Sequence, residues 1–180
     1  MEMTIARDRW QEHLKSRGDH YHDRALALEQ LAVEHPDSGC GTAALSLHAL
    51  AEVLEQARIH HLTRNQHILF RVGELISFCE GSEALARRAV QAATGTLPDK
   101  TDSRFDAHGL AAISRVFARE AAMKAANEGA RWVLGAAEPG EIDPATFEKT
   151  LGIDSILGAQ EGLLADMDLV ADVLYDRRTA

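Results

Sequence analysis

Residues 65–89 read NQHILFRVGELISFCEGSEALARRA. Apolar side chains recur at three- and four-residue intervals, the spacing of a helix, yet Gly73 and Gly81 fall in what should be its interior. A mid-helix glycine costs about 1 kcal/mol against alanine, so the segment must gain something by carrying two. At about 100° per residue, Ile68, Val72, Leu75, Ile76, Cys79, Ala86, Val90 and Ala93 share one broad apolar face. Phe70, Gly73, Ser77, Gly81 and Ala84 form a second, centred roughly 160° away. Small residues at i, i+4 and i+8 let a neighbouring backbone come close and make many dispersion contacts. The helix is therefore expected to be held from two sides, its second face meeting either the chain's own alanine-rich helix or another polypeptide.

Working outward, the same spacing predicts a helix from Ala43 to about His61, with Thr42 as its N-cap after the loop PDSGCG. The turn HHLTRNQ follows, with Thr63 or Asn65 capping the next helix, which runs to about Ala93. TGTLPDKTDS (94–103) is the clearest linker, and a third long helix, rich in alanine, spans Arg104 to Leu134, where Gly135 is placed to end it. Asp143-Pro144 starts a short helix that ends at Gly152. Asp154 or Ser155 then caps a last helix to about Asp176, with Ile156, Leu157, Leu164, Met167, Val170, Val173 and Leu174 in one stripe and Asp166, Asp168, Asp172 and Asp176 on a solvated face. Upstream, residues 4–35 are helical in propensity and interrupted near Gly18, and His35-Pro36 closes them. The expected fold is all-α, an up-and-down bundle of four main helices (36–180) preceded by an N-terminal helical arm (1–35).

The balance of 28 acidic against 19 basic residues, a net charge of −9, argues against nucleic acid or an anionic membrane surface as the main partner. No run approaches the roughly 18 apolar residues of a membrane span. MEMTIARDRWQEH has no apolar stretch of a signal peptide. A cytoplasmic location is the expectation, with Cys40 and Cys79 as two reduced thiols rather than a disulfide.

The search for chemistry is brief. Nine histidines invite a metal, with HYH (20–22) and His60-His61 the densest clusters, but no Glu is followed by a His three residues on, and His-Glu-x-x-His is absent. His48 and Glu52 share a helix face, as surface pairs commonly do. SGCGT could expose Cys40 at a helix N-terminus, which would lower its pKa, but no histidine base is placed beside it. The phosphate-binding glycine loops and the nucleophile elbow are absent. No catalytic, cofactor-binding or metal-binding residue is assigned.

Gln66 to Ala89, with Gln66, Leu69, Arg71, Glu74 and the Arg88-Ala89 pair, resembles the first long helix of the extra C-terminal helical domain of very-long-chain-type acyl-CoA dehydrogenases. RVFAREAAMKAANEGARW (115–132), with its Glu120-Ala121 pair, is similar to the next helix of that domain. In that family FAD and the catalytic carboxylate belong to upstream domains, none of which is recognisable here, so neither is carried onto any residue of this chain. The resemblance implies a non-catalytic bundle that docks on the flavin-holding body or serves oligomerisation. It also implies a membrane role in some members, which the acidic balance and the lack of a basic amphipathic segment disfavour here. The docking surface is expected on the small-residue face (Phe70, Gly73, Ser77, Gly81, Ala84) or on the apolar edge of the last helix. The alternative is a stand-alone bundle that holds a small apolar or acyl ligand between its helices.

Overall fold

A computed structural model describes residues 2–98, 100, 104–175 and 177, apart from the side chains of residues 2, 3 and 5. Part of the expected linker (99 and 101–103) and the expected end of the last helix at Asp176 lie outside the described residues. The fold is all-α. Among the described residues eight α-helices follow one another: α1 (Glu2–Lys15), α2 (Asp19–Glu34), α3 (Cys40–Ile59), α4 (Gln66–Ala93), α5 (Ala107–Ala136), α6 (Pro144–Thr150), α7 (Ile153–Gly158) and α8 (Leu163–Leu174).

The four long helices α2 to α5 form the up-and-down core: α2, from the segment 1–35, packs into it through the fully buried Tyr21, Ala25 and Leu28, and the last segment is not one of the four. Short links reverse α3 on α2 and α4 on α3, and side-chain contacts fix the directions. His22 of α2 meets His48 and Glu52 of α3, while Ala32 lies near Gly41, so these two run antiparallel. Cys79 of α4 donates its thiol to the Ser46 carbonyl of α3. Along the α4–α5 pair Glu74 meets Lys124 and His67 meets Trp132, again antiparallel. α1 packs on α4, and α8 packs on α5.

The hub is α3. Cys40, Ala43, Ala44, Leu47, Ala49, Leu50 and Leu54 are fully buried, so this helix is apolar almost all round and packed on several sides. Alanines at 118, 121, 122 and 125 of α5 are also fully buried, and their small side chains let neighbouring helices approach closely. One close approach is at Gly129, where an added Cβ would stand 2.3 Å from Val53 Cγ2. The middle of the bundle is one contiguous cluster of packed side chains from α2 to α7.

Several boundaries differ from the sequence reading. α3 begins at Cys40, not after Thr42, because Gly39 takes the left-handed φ of +82° at the cap position and the chain turns there. Asn65, not Thr63, caps α4 by accepting the His67 N–H. α5 starts at Ala107 because Asp106 accepts the Gly109 N–H, and it runs through Gly135 to Ala136. The expected last helix is two: α7 stops at Gly158 and α8 restarts after Gly162, whose φ of +78° makes the turn. Ala93, assigned to the apolar face of α4, is exposed at that helix's last residue.

Candidate functional site

α8 is held on the body by ions. Asp166 accepts from Arg119 Nη1 at 2.5 Å and from Arg115 Nε at 2.9 Å, with a second bond from Arg115 Nη2. Arg119 also donates to the Ala159 and Glu161 carbonyls, both at 2.7 Å, and so fixes the turn between α7 and α8. Arg115 reaches back to the Asp37 carbonyl at 2.6 Å. Hydrogen bonding from Arg115 above all, then from Arg119, holds the Asp166 carboxyl below its ordinary value against the opposing effect of burial. Asp166 was expected on a solvated face. It is buried, because about 100° per residue places it beside Val173, the buried apolar residue of α8.

With Asp166 and Val173 turned inward, the apolar stripe assigned to this segment splits. Leu164, Met167, Leu174 and the adjacent Tyr175 are 75%, 47%, 53% and 70% exposed. They fall within an arc roughly 100° wide on the outer side of α8. Leu157 of α7 is also exposed. A helix apolar on both faces ordinarily has a partner on both. Asp168 and Asp172 stand along one edge of the outer arc.

The small-residue face of α4 is divided among several surroundings. Gly73 is buried and Phe70 half-buried, whereas Ser77 and Ala84 are exposed. Gly81 faces Phe117 of the alanine-rich α5, whose ring would lie 3.3 Å from an added Cβ. Phe117 in turn stacks on Phe78. Ser77 borders a cleft of about 340 Å³ together with Asp8, Arg9 and Glu80.

A charged network that the sequence did not announce joins α1, α2 and α4. Glu80 accepts from Arg9 Nε and Arg24 Nη1, both at 2.7 Å, and from the Tyr21 hydroxyl at 3.0 Å. Glu83 takes Arg24 Nε at 2.8 Å and Arg87 Nε at 2.9 Å. Burial works against the charged form of Glu80, but Arg24 and then Arg9 outweigh it, so its carboxyl is held below the ordinary value. Each charge has a partner, the condition for ions to be tolerated where water is scarce.

The histidine clusters separate by role. His20 lies against Arg24, whereas His22 Nδ1 is 2.7 Å from His48 Nδ1, with Glu52 at 3.4 Å from His22 and Glu29 at 3.2 Å from His48. The hydrogen bond to Glu52 chiefly raises the pKa of His22. This group clasps α2 to α3, and its parts, 26 residues apart, carry no local motif. Among the described residues no group of three or more His, Cys, Asp or Glu is arranged to hold a metal ion.

Cys40, which a helix terminus could have activated, is fully buried, and burial raises its pKa instead. Burial pushes Cys79 up to about 12. Both thiols are free. No described helix is long and apolar enough to cross a membrane. Comparison of the chain with protein-family models, with curated proteins and with solved structures finds no match.

Proposed function

We propose that the chain is a non-catalytic docking module whose outer α8 face seats it on the flavin-holding body of an acyl-CoA dehydrogenase. The observation that carries this reading is the apolar arc of Leu164, Met167, Leu174 and Tyr175, left in water on a helix whose other side is pinned by two arginines. An arc of that kind favours a partner that removes it from water. The resemblance of residues 66–89 and 115–132 to the C-terminal module of such enzymes supplies the class of partner. The edge formed by Asp168 and Asp172 asks that partner for an apolar patch with a cationic rim. In this role the chain contributes rigid surface and not chemistry. Its buried, partnered carboxylates and buried thiols suit that division.

The test is co-expression with the flavin-holding body of a very-long-chain-type enzyme that lacks its own helical module. Co-elution of this chain with flavin absorbance is expected, and it should be lost on Leu164→Glu with Met167→Glu while the helical circular dichroism is kept. Separate elution of the wild-type chain, or co-elution that survives both substitutions, would overturn the reading.

A further inference from the structure

At the far end of the bundle from the α5 N-terminus, the ends of α3, α4 and α5 meet around an open cleft of about 720 Å³. That size lies within the range of small-molecule sites. His60, His61, Arg64, His67, Arg131 and Trp132 line it, and although the chain has 28 acidic residues, no Asp or Glu is among the lining side chains. Acids act from outside the lining: Glu141 lies 3.0 Å from His60 Nδ1, and Glu128 lies 3.5 Å from Arg131 Nη1. On a chain of net charge −9 the lining itself carries only basic side chains among its charged residues.

Trp132 organises the cations. The guanidinium of Arg131 stands 4.8 Å from its ring centroid and that of Arg71 5.7 Å, while His67 meets the ring edge-on at 5.0 Å. These cation–π contacts hold the two guanidinium groups in place, and each also has a carboxylate of its own helix beside it, Glu128 for Arg131 and Glu74 for Arg71. The positive end of α4 opens on the same cleft, and the negative ends of α3 and α5 oppose it. Each helix end is worth about half a charge, so the side chains decide the sign. Guanidinium forks match the oxygens of a phosphate, and several cations arriving from separate helices suit a multiply charged anion better than a single carboxylate.

We propose that this cleft binds a small, soluble phosphate-bearing ligand, with Arg64 and Arg131 taking its oxygens and Trp132 forming an apolar wall. The site is independent of the α8 face and stands whether or not that face docks.

The test is titration calorimetry of the full chain with inorganic pyrophosphate at low salt. One site is expected. Arg64→Ala and Arg131→Ala should each weaken it by about tenfold, the loss of charge-assisted hydrogen bonds. Arg87→Ala, about 30 Å along α4 from His67, should leave it unchanged. Both lining arginines are exposed, so the variants should fold, as their melting curves will show. No heat at about 1 mM pyrophosphate, equal affinity in the lining variants, or acetate binding as tightly would overturn the proposal. So would binding of phosphatidylglycerol vesicles by a chain that ignores pyrophosphate.

Discussion

Asp166 of α8 and Arg119 of α5 meet at 2.5 Å, and the same guanidinium satisfies two carbonyls of the preceding turn. One arginine thus sets both where α8 begins and how it lies. The rotation it imposes decides which apolar residues of α8 are buried and which face water.

Removing Asp166 should therefore release α8 before the rest of the bundle. Asp166→Ala leaves Arg119 buried without its countercharge, a change that costs about 3 kcal/mol. Urea unfolding at neutral pH checks this, together with faster hydrogen exchange confined to residues 163–174. The acid limb carries a second signature. The folded pKa of Asp166 is lowered, chiefly by the hydrogen bond from Arg115, so its contribution is present above the unfolded value of about 3.9. It is lost as pH falls from there through the folded value. Asp166→Asn should flatten stability against pH below about pH 4.

Gly129 should be far less tolerant than Gly81. Gly129→Ala drives a Cβ to 2.3 Å from Val53 Cγ2, in a core with no slack. Overpacking of this kind costs about 1–3 kcal/mol, and Val53→Ala should restore part of it. At Gly81 an added Cβ would meet only the Phe117 ring, at 3.3 Å. The helix propensity gained, about 1 kcal/mol, should offset a small ring shift, so Gly81→Ala should be near neutral. Paired melting curves decide both.

His13 should make the fold weaken as pH drops below neutral. Its side chain is fully buried, stacked on Trp10, with Nδ1 unpartnered and Nε2 3.3 Å from Glu55. Burial lowers its pKa, Glu55 opposes the shift, and Arg58 and His20 add to it. The neutral ring is thus favoured in the fold. Its contribution is present above the unfolded value of about 6.5 and is lost as pH falls from there through the folded one. His22 has the opposite sign, because its folded pKa is raised. The difference between wild type and His13→Gln isolates His13: the variant should be less stable at pH 8, and the gap should narrow towards pH 5.

The helices and their order were legible because apolar spacing along α3, α4 and α5 is a local property that one chain displays without its neighbours. The apolar face of α4 was legible for the same reason: Ile68, Val72, Leu75, Ile76, Cys79 and Ala86 are all buried. What escaped depends on partners distant in sequence. Asp166 looked like its exposed neighbour Asp168 until Arg115 and Arg119, 51 and 47 residues earlier, were seen to face it. Gly73 and Gly81 stand out in the spacing of α4, whereas the need for Gly129 is set by Val53 on another helix. The cationic cleft also gathers its residues from three helix ends, and composition hides it beneath an overall negative charge.

Docking through the outer face of α8 is decided by hydrogen exchange on the chain with and without the flavin-holding body. Slowed exchange at residues 163–174, and not along Phe70 to Ala84 of α4, is the predicted result. Protection confined to the α4 face, or none anywhere at saturating partner, would contradict it.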